Sequence, residues 1–87
     1  MRRYFKREAE SNLGVGVAYL EFDGEWATRQ VENYGEKWFR SDRQFHAGLG
    51  PALCDQPLSE LGLSVLDEIS QVEFEQAWVR AIIKVCP

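Results

Sequence analysis

Histidine and cysteine, the residues that most often carry metals or covalent chemistry, are scarce in this chain. Its 87 residues include one histidine, His46, and two cysteines, Cys54 and Cys86. Zinc sites draw several such ligands from short, regular spacings, so neither a metal nor a cofactor is expected. Two distant cysteines provide no disulfide framework, and reduced thiols are the expectation. A bridge between them, which would tie the middle of the chain to its end, stays an open alternative.

Long apolar runs are also missing. No stretch approaches the roughly 20 apolar residues of a membrane-spanning helix. The basic start of the chain is not followed by the apolar segment of a secretion signal. The sequence therefore predicts a cytoplasmic protein without a membrane partner.

Positive charge is absent from a long part of the sequence. The net charge is −4, and no lysine or arginine lies between Gln44 and Val79. That stretch contains six carboxylates: Asp55, Glu60, Asp67, Glu68, Glu73 and Glu75. Direct nucleic-acid binding is not expected for such a chain, because phosphate contacts need lysine and arginine. The stretch is either an ordinary solvated face or an acidic docking surface for a basic partner.

Alternating apolar residues predict an antiparallel meander. Residues 15–23 are rich in strand-forming side chains on both faces, and Asp23-Gly24 is a strong hairpin signal. Residues 26–34 and 37–41 continue the pattern, and residues 2–8 are a weaker fourth strand. Within residues 26–34 the alternation places Ala27, Arg29 and Val31 on one face.

The end of the chain predicts an amphipathic helix. Ser70 is the expected N-cap, with Glu73 completing a capping box and Ile69 and Phe74 forming a hydrophobic staple. The apolar stripe repeats with helical period and comprises Phe74, Ala77, Trp78, Ala81, Ile82 and Val85.

These patterns predict an α+β fold, in which a three- to four-stranded antiparallel meander packs against one C-terminal amphipathic helix. The expected organisation is a single domain over 1–87, with the meander at 2–41, an irregular packed loop at 42–69 and the helix at 70–85. The predicted core is Leu20, Phe22, Val31, Phe39, Phe74, Ala77, Trp78, Ala81 and Ile82.

Candidate functional residues are few. Trp26 and Trp38, on consecutive strands, are either core residues or cross-strand neighbours on an exposed patch of the kind that marks interfaces. Glu21 or Glu32 is expected to face solvent and to pair with Arg29 across the ladder. No catalytic residue is predicted.

Two sequence blocks resemble a known family. Tyr19-x-Glu21-Phe22-Asp23-x-Glu25-Trp26-x-Thr28-Arg29-x-Val31-Glu32-x-Tyr34 resembles the central hairpin of a small uncharacterised bacterial domain family. Glu68-Ile69-Ser70-x-x-Glu73-Phe74-Glu75-x-x-Trp78 resembles its closing helix. The function of that family is unknown, so the resemblance implies a fold and a bacterial origin but no activity.

The first functional hypothesis is a non-enzymatic, small acidic protein-binding module. It would act as an inhibitor or immunity-type protein by covering the surface of a basic partner. The predicted contact residues are Trp26, Trp38, Asp55, Glu60, Asp67 and Glu68. The alternatives are a self-associating structural protein, which would form a homodimer, or a small-ligand or enzymatic domain with a site near His46 and Cys54.

Overall fold

The chain forms an antiparallel sheet with one long helix across it. A computed structural model describes residues 2–12, 14–42 and 57–85. The strands and the helix are β1 (Arg2–Ser11), β2 (Gly14–Asp23), β3 (Trp26–Tyr34), β4 (Lys37–Asp42), β5 (Glu68–Ile69) and α1 (Gln71–Val85). Two 3₁₀ helices, Leu58–Glu60 and Val65–Asp67, precede β5.

The sheet has five strands, in the order β4-β3-β2-β1-β5. The α+β class is confirmed, but the prediction of three to four strands is wrong. The additional strand, β5, contains two residues, and it pairs Ile69 with Tyr4 and Glu68 with Phe5. A pairing this short produces no alternating pattern, so periodicity could not reveal it.

A β-bulge changes the faces of β3. Phe22 pairs with Ala27 and Glu21 pairs with Arg29, so Thr28 has no opposite residue. An extra residue of this kind reverses the alternation on one side of it. Ala27 therefore lies on the opposite face from Arg29 and Val31, and the prediction that the three share a face is wrong.

The helix-facing side of the sheet carries the larger core. Phe74 and Ala81 of α1 are buried against Tyr4 and Val31 of the sheet, and the Tyr4 and Phe74 ring centroids are 5.3 Å apart. The helix begins as predicted, since the Ser70 hydroxyl accepts a hydrogen bond from the Glu73 backbone N–H at 3.1 Å. This contact satisfies one of the backbone donors at the helix start.

The opposite side of the sheet carries a second core. Its buried residues are Phe5, Leu20, Phe22 and Ala27. Leu58, Leu61 and Leu63, from the segment between the sheet and the helix, pack on them. Both faces of the sheet are therefore covered, as the two-sided apolar pattern of β2 indicates.

Six of the nine predicted core residues are buried. The other three, Phe39, Trp78 and Ile82, are half-buried. The prediction omitted five apolar residues that are buried: Tyr4, Phe5, Ala18, Ala27 and Tyr34. Tyr4 and Phe5 are adjacent in β1 and belong to opposite cores, so the apolar residues of this strand do not alternate as they would on a strand with one buried face.

Candidate functional site

Trp26 and Glu60 lie at one end of the sheet, where the β2–β3 turn meets the first 3₁₀ helix. Gly24 occupies this turn with φ +69°, a conformation that glycine adopts without strain. The Leu58 backbone N–H donates to the Glu25 carbonyl at 2.8 Å. The Ser59 hydroxyl donates to Glu25 Oε2 at 2.7 Å. These two bonds hold the segment that contains Glu60 beside the turn that precedes Trp26. We call this region the tryptophan end.

Trp26 is the exposed aromatic residue of this end. The residue is 54% exposed, whereas tryptophan usually buries most of its area in a folded protein. Glu60 is exposed as well. An indole held on a hairpin loses little conformational freedom on binding, which makes it an effective anchor for a partner protein.

Trp38 does not join Trp26. Trp26, at the start of β3, pairs with Asp23 of β2. Trp38, in β4, pairs with Asn33 near the end of β3. The alternative in which the two indoles are cross-strand neighbours is therefore wrong. Trp38 is half-buried and packs against the core beneath α1.

The remaining predicted contact residues differ in their surroundings. The Asp67 carboxylate accepts a hydrogen bond from the Ser64 backbone N–H at 3.0 Å and so caps the second 3₁₀ helix. The Glu68 carboxylate accepts two hydrogen bonds from the Arg3 guanidinium, at 3.0 and 3.1 Å. Asp55 lies outside the described residues. Asp67 and Glu68 thus already have intramolecular partners.

Beneath α1, Arg29 forms ion pairs with two carboxylates, Glu21 and Glu75. Arg29 donates to both Glu21 oxygens, with Nε–Oε1 at 3.0 Å and Nη2–Oε2 at 2.6 Å. It also donates to both oxygens of Glu75 on the helix, at 3.0 and 2.6 Å. Its guanidinium carbon lies 5.0 Å from the centroid of the Phe74 ring and 5.1 Å from that of Trp78. Arg29 therefore links the sheet to the helix, and we call this arrangement the arginine clamp.

Glu21 is charged although its side chain is only 2% exposed. Burial by itself would raise the pKa of the Glu21 carboxyl, because it disfavours the charged form. Hydrogen bonds from Arg29, Thr28 and Tyr4, together with the positive charge of Arg29, outweigh burial and lower the pKa to about 2. The hydrogen bonds from Arg29 also hold the pKa of Glu75 below its usual range.

The clamp is suited to structure rather than to proton transfer. A carboxyl with a pKa near 2 is a poor general base at neutral pH, where efficient bases have pKa values near the working pH. The cross-strand pairing of Glu21 with Arg29 was predicted correctly. The expectation that Glu21 faces solvent was wrong, because the helix covers it.

Other chemistry finds little support in the described residues. No group of three or more histidine, cysteine or acidic side chains there could hold a metal ion. His46 and Cys54, the basis of the enzymatic alternative, lie outside the described residues. Among the helices of residues 2–12, 14–42 and 57–85, none has both the length and the apolar character needed to cross a membrane.

No protein-family model matches the chain, and no curated protein matches it. The resemblance to an uncharacterised bacterial family therefore stays a prediction.

Proposed function

We propose that this chain is a non-enzymatic protein-binding module that covers the surface of a basic partner protein. In this proposal it acts in the bacterial cytoplasm as an inhibitor or immunity-type protein. The tryptophan end makes the central contact. The single observation that carries the proposal is the 54% exposure of Trp26, which begins β3 next to a turn held by hydrogen bonds.

The rigidity of the tryptophan end supports this function. Glu25 holds the 3₁₀ helix through its backbone carbonyl and its carboxylate, so the surface around Trp26 is formed before a partner arrives. A preformed surface avoids much of the entropy cost of ordering side chains on binding. Protein interfaces usually derive most of their affinity from a few residues, among which tryptophan is enriched.

Charge at the tryptophan end supports a basic partner. Asp23, Glu25 and Glu60 provide three carboxylates there, all on exposed residues. Arg2, whose Cα is opposite that of Asp23, provides one positive charge. An acidic surround on an aromatic anchor steers a basic partner toward it and speeds association.

An affinity-capture experiment tests the proposal. Extracts of the source cells are passed over the immobilised wild-type chain and over a Trp26→Ala variant, and bound proteins are eluted with rising salt. Val15→Ala is the control, because Val15 is 63% exposed at the opposite end of β2. We expect a basic protein to be retained by the wild type and by Val15→Ala and to be lost from Trp26→Ala.

Matched charge changes test the electrostatic part. Glu60→Lys and Glu36→Lys alter the net charge equally, and Glu36 lies in the β3–β4 turn at the far end of the sheet. With the captured partner purified, Trp26→Ala should weaken binding by about 2 kcal/mol, roughly thirtyfold. Glu60→Lys should slow association more than Glu36→Lys does. If no protein is retained even at low salt, or if both lysine variants have equal effects, the proposal is wrong.

A further inference from the structure

Helix α1 carries a second apolar stripe that does not contact the sheet. Val72, Val79 and Ile83 are 66%, 52% and 68% exposed, respectively. The buried residues Phe74 and Ala81 lie on the other side of the same helix. At about 100° per residue, the two stripes are on opposite sides of α1. An amphipathic helix that covers a sheet normally has a polar outer face, so this outer stripe needs an explanation.

The spacing of the outer stripe is that of a coiled-coil seam. With Gln76 it runs 72, 76, 79, 83, which alternates intervals of four and three residues. Such a pattern aligns side chains along one line on a helix, so that they interlock with the same line on a neighbouring helix. A surface depression along this face of α1 is lined by these four residues together with Gln71, Glu75 and Arg80.

We propose that the outer stripe binds a second copy of this chain, with the two α1 helices antiparallel. A two-fold axis across the stripe would place Val72 opposite Ile83 of the partner subunit. It would likewise place Gln76 opposite Val79 of the partner subunit. This surface differs from the tryptophan end, so the proposal does not depend on the proposed function.

Charge beside the stripe selects the second copy as occupant. Glu73 and Arg80 are seven residues apart on the same flank of the stripe. In an antiparallel pair this flank meets itself, so that Glu73 faces Arg80 of the partner subunit and Arg80 faces Glu73 of the partner subunit. The surface is therefore complementary to itself, as a two-fold interface requires.

Existing contacts favour the antiparallel arrangement over the parallel one. Parallel helices would pair Arg80 with Glu75 across the seam, but both Glu75 oxygens already accept hydrogen bonds from Arg29. Glu73 is less engaged, since within the described residues its carboxylate has an ion pair with Lys6 at 3.6 Å and its side chain is 45% exposed. Antiparallel packing also brings opposite ends of the two helix dipoles together.

Sedimentation of the purified chain across a wide concentration range tests dimer formation. We expect a reversible monomer–dimer equilibrium that Val79→Lys weakens by at least about tenfold, since it places two like charges in the seam. Val15→Lys is the control and should leave the equilibrium unchanged. A wild type that stays monomeric overturns the proposal, as does a dimer that survives Val79→Lys. A monomer destabilised by Val79→Lys would indicate that another part of the same chain covers the stripe.

A charge-swap experiment tests the arrangement. Glu73→Arg and Arg80→Glu should each weaken self-association, because each sets like charges opposite one another. Mixing the two variants should restore a dimer, since every facing pair is again opposite in charge. Circular dichroism of each variant alone establishes that it is folded. If both are folded and the mixture stays monomeric, the antiparallel arrangement is wrong.

Discussion

Replacing Glu21 by glutamine should destabilise the protein strongly at neutral pH and weakly in acid. Glutamine has the shape of glutamate but no charge, so among the described residues Arg29 would keep only the partly exposed Glu75 as an ionic partner. Removing one member of a buried pair leaves the other insufficiently compensated, which is costly. The loss should therefore reflect the charge of Glu21 rather than its size.

The magnitude follows from the pKa of Glu21. Its ordinary value is 4.5 and its value in the fold is about 2, and each pKa unit corresponds to about 1.4 kcal/mol. Ionised Glu21 thus contributes about 3 kcal/mol to the free energy of unfolding at pH 7. Because the folded pKa is depressed, the contribution is complete above the unfolded pKa. It is lost as pH falls from about 5 toward 2, and less than half remains at pH 3.

Urea unfolding of the wild type and Glu21→Gln, from pH 7 down to pH 3, measures this contribution. The difference in free energy of unfolding should be about 3 kcal/mol at pH 7 and should narrow steadily with acid. Glu68→Gln is the control, because Glu68 also pairs with an arginine, Arg3, but at the surface, where such pairs contribute little. A difference between wild type and Glu21→Gln that does not change with pH would refute the reasoning, as would equal stability at pH 7.

Three further predictions concern local structure. Gly16→Ala should lower the free energy of unfolding, measured in a urea or thermal melt, by at least about 2 kcal/mol, because a Cβ there would lie 2.0 Å from the Asn33 carbonyl oxygen. An unchanged free energy of unfolding would contradict the close approach of β2 and β3. Ser70→Ala should lower the free energy of unfolding by about 1 kcal/mol, because the Glu73 backbone N–H loses its hydrogen bond to the Ser70 hydroxyl. Ser70→Asp should restore most of that stability, because its carboxylate can accept the same bond. Trp26→Phe should remove most of the acrylamide-quenchable tryptophan fluorescence without changing stability, and persistent quenching would show that another indole is the exposed one.

Local signals predicted much of the fold because they act over a few residues. Asp23-Gly24 marked the hairpin, and the Ser70 cap marked the start of α1. The bulge at Thr28 was not predictable, because neither the threonine nor the alternation of side chains around it differs from that of a regular strand. Only the pairing of Phe22 with Ala27 reveals the extra residue.

The candidate surfaces were predicted less well because they depend on contacts between distant segments. The charge pattern placed Glu60, Asp67 and Glu68 in one acidic surface, but Glu68 pairs with Arg3 across 65 residues. The arginine clamp likewise joins Arg29 to Glu75 across 46 residues. Sequence spacing contains no signal for contacts this distant.

Photo-crosslinking tests the proposed protein-binding surface most directly. A photoreactive phenylalanine analogue is placed at position 26 in one variant and at position 15 in another, and each is irradiated in extracts of the source cells. We predict a covalent adduct with one basic protein from position 26 and none from position 15. An adduct from position 15 alone, or none from position 26, would contradict the assignment of the tryptophan end as the binding surface.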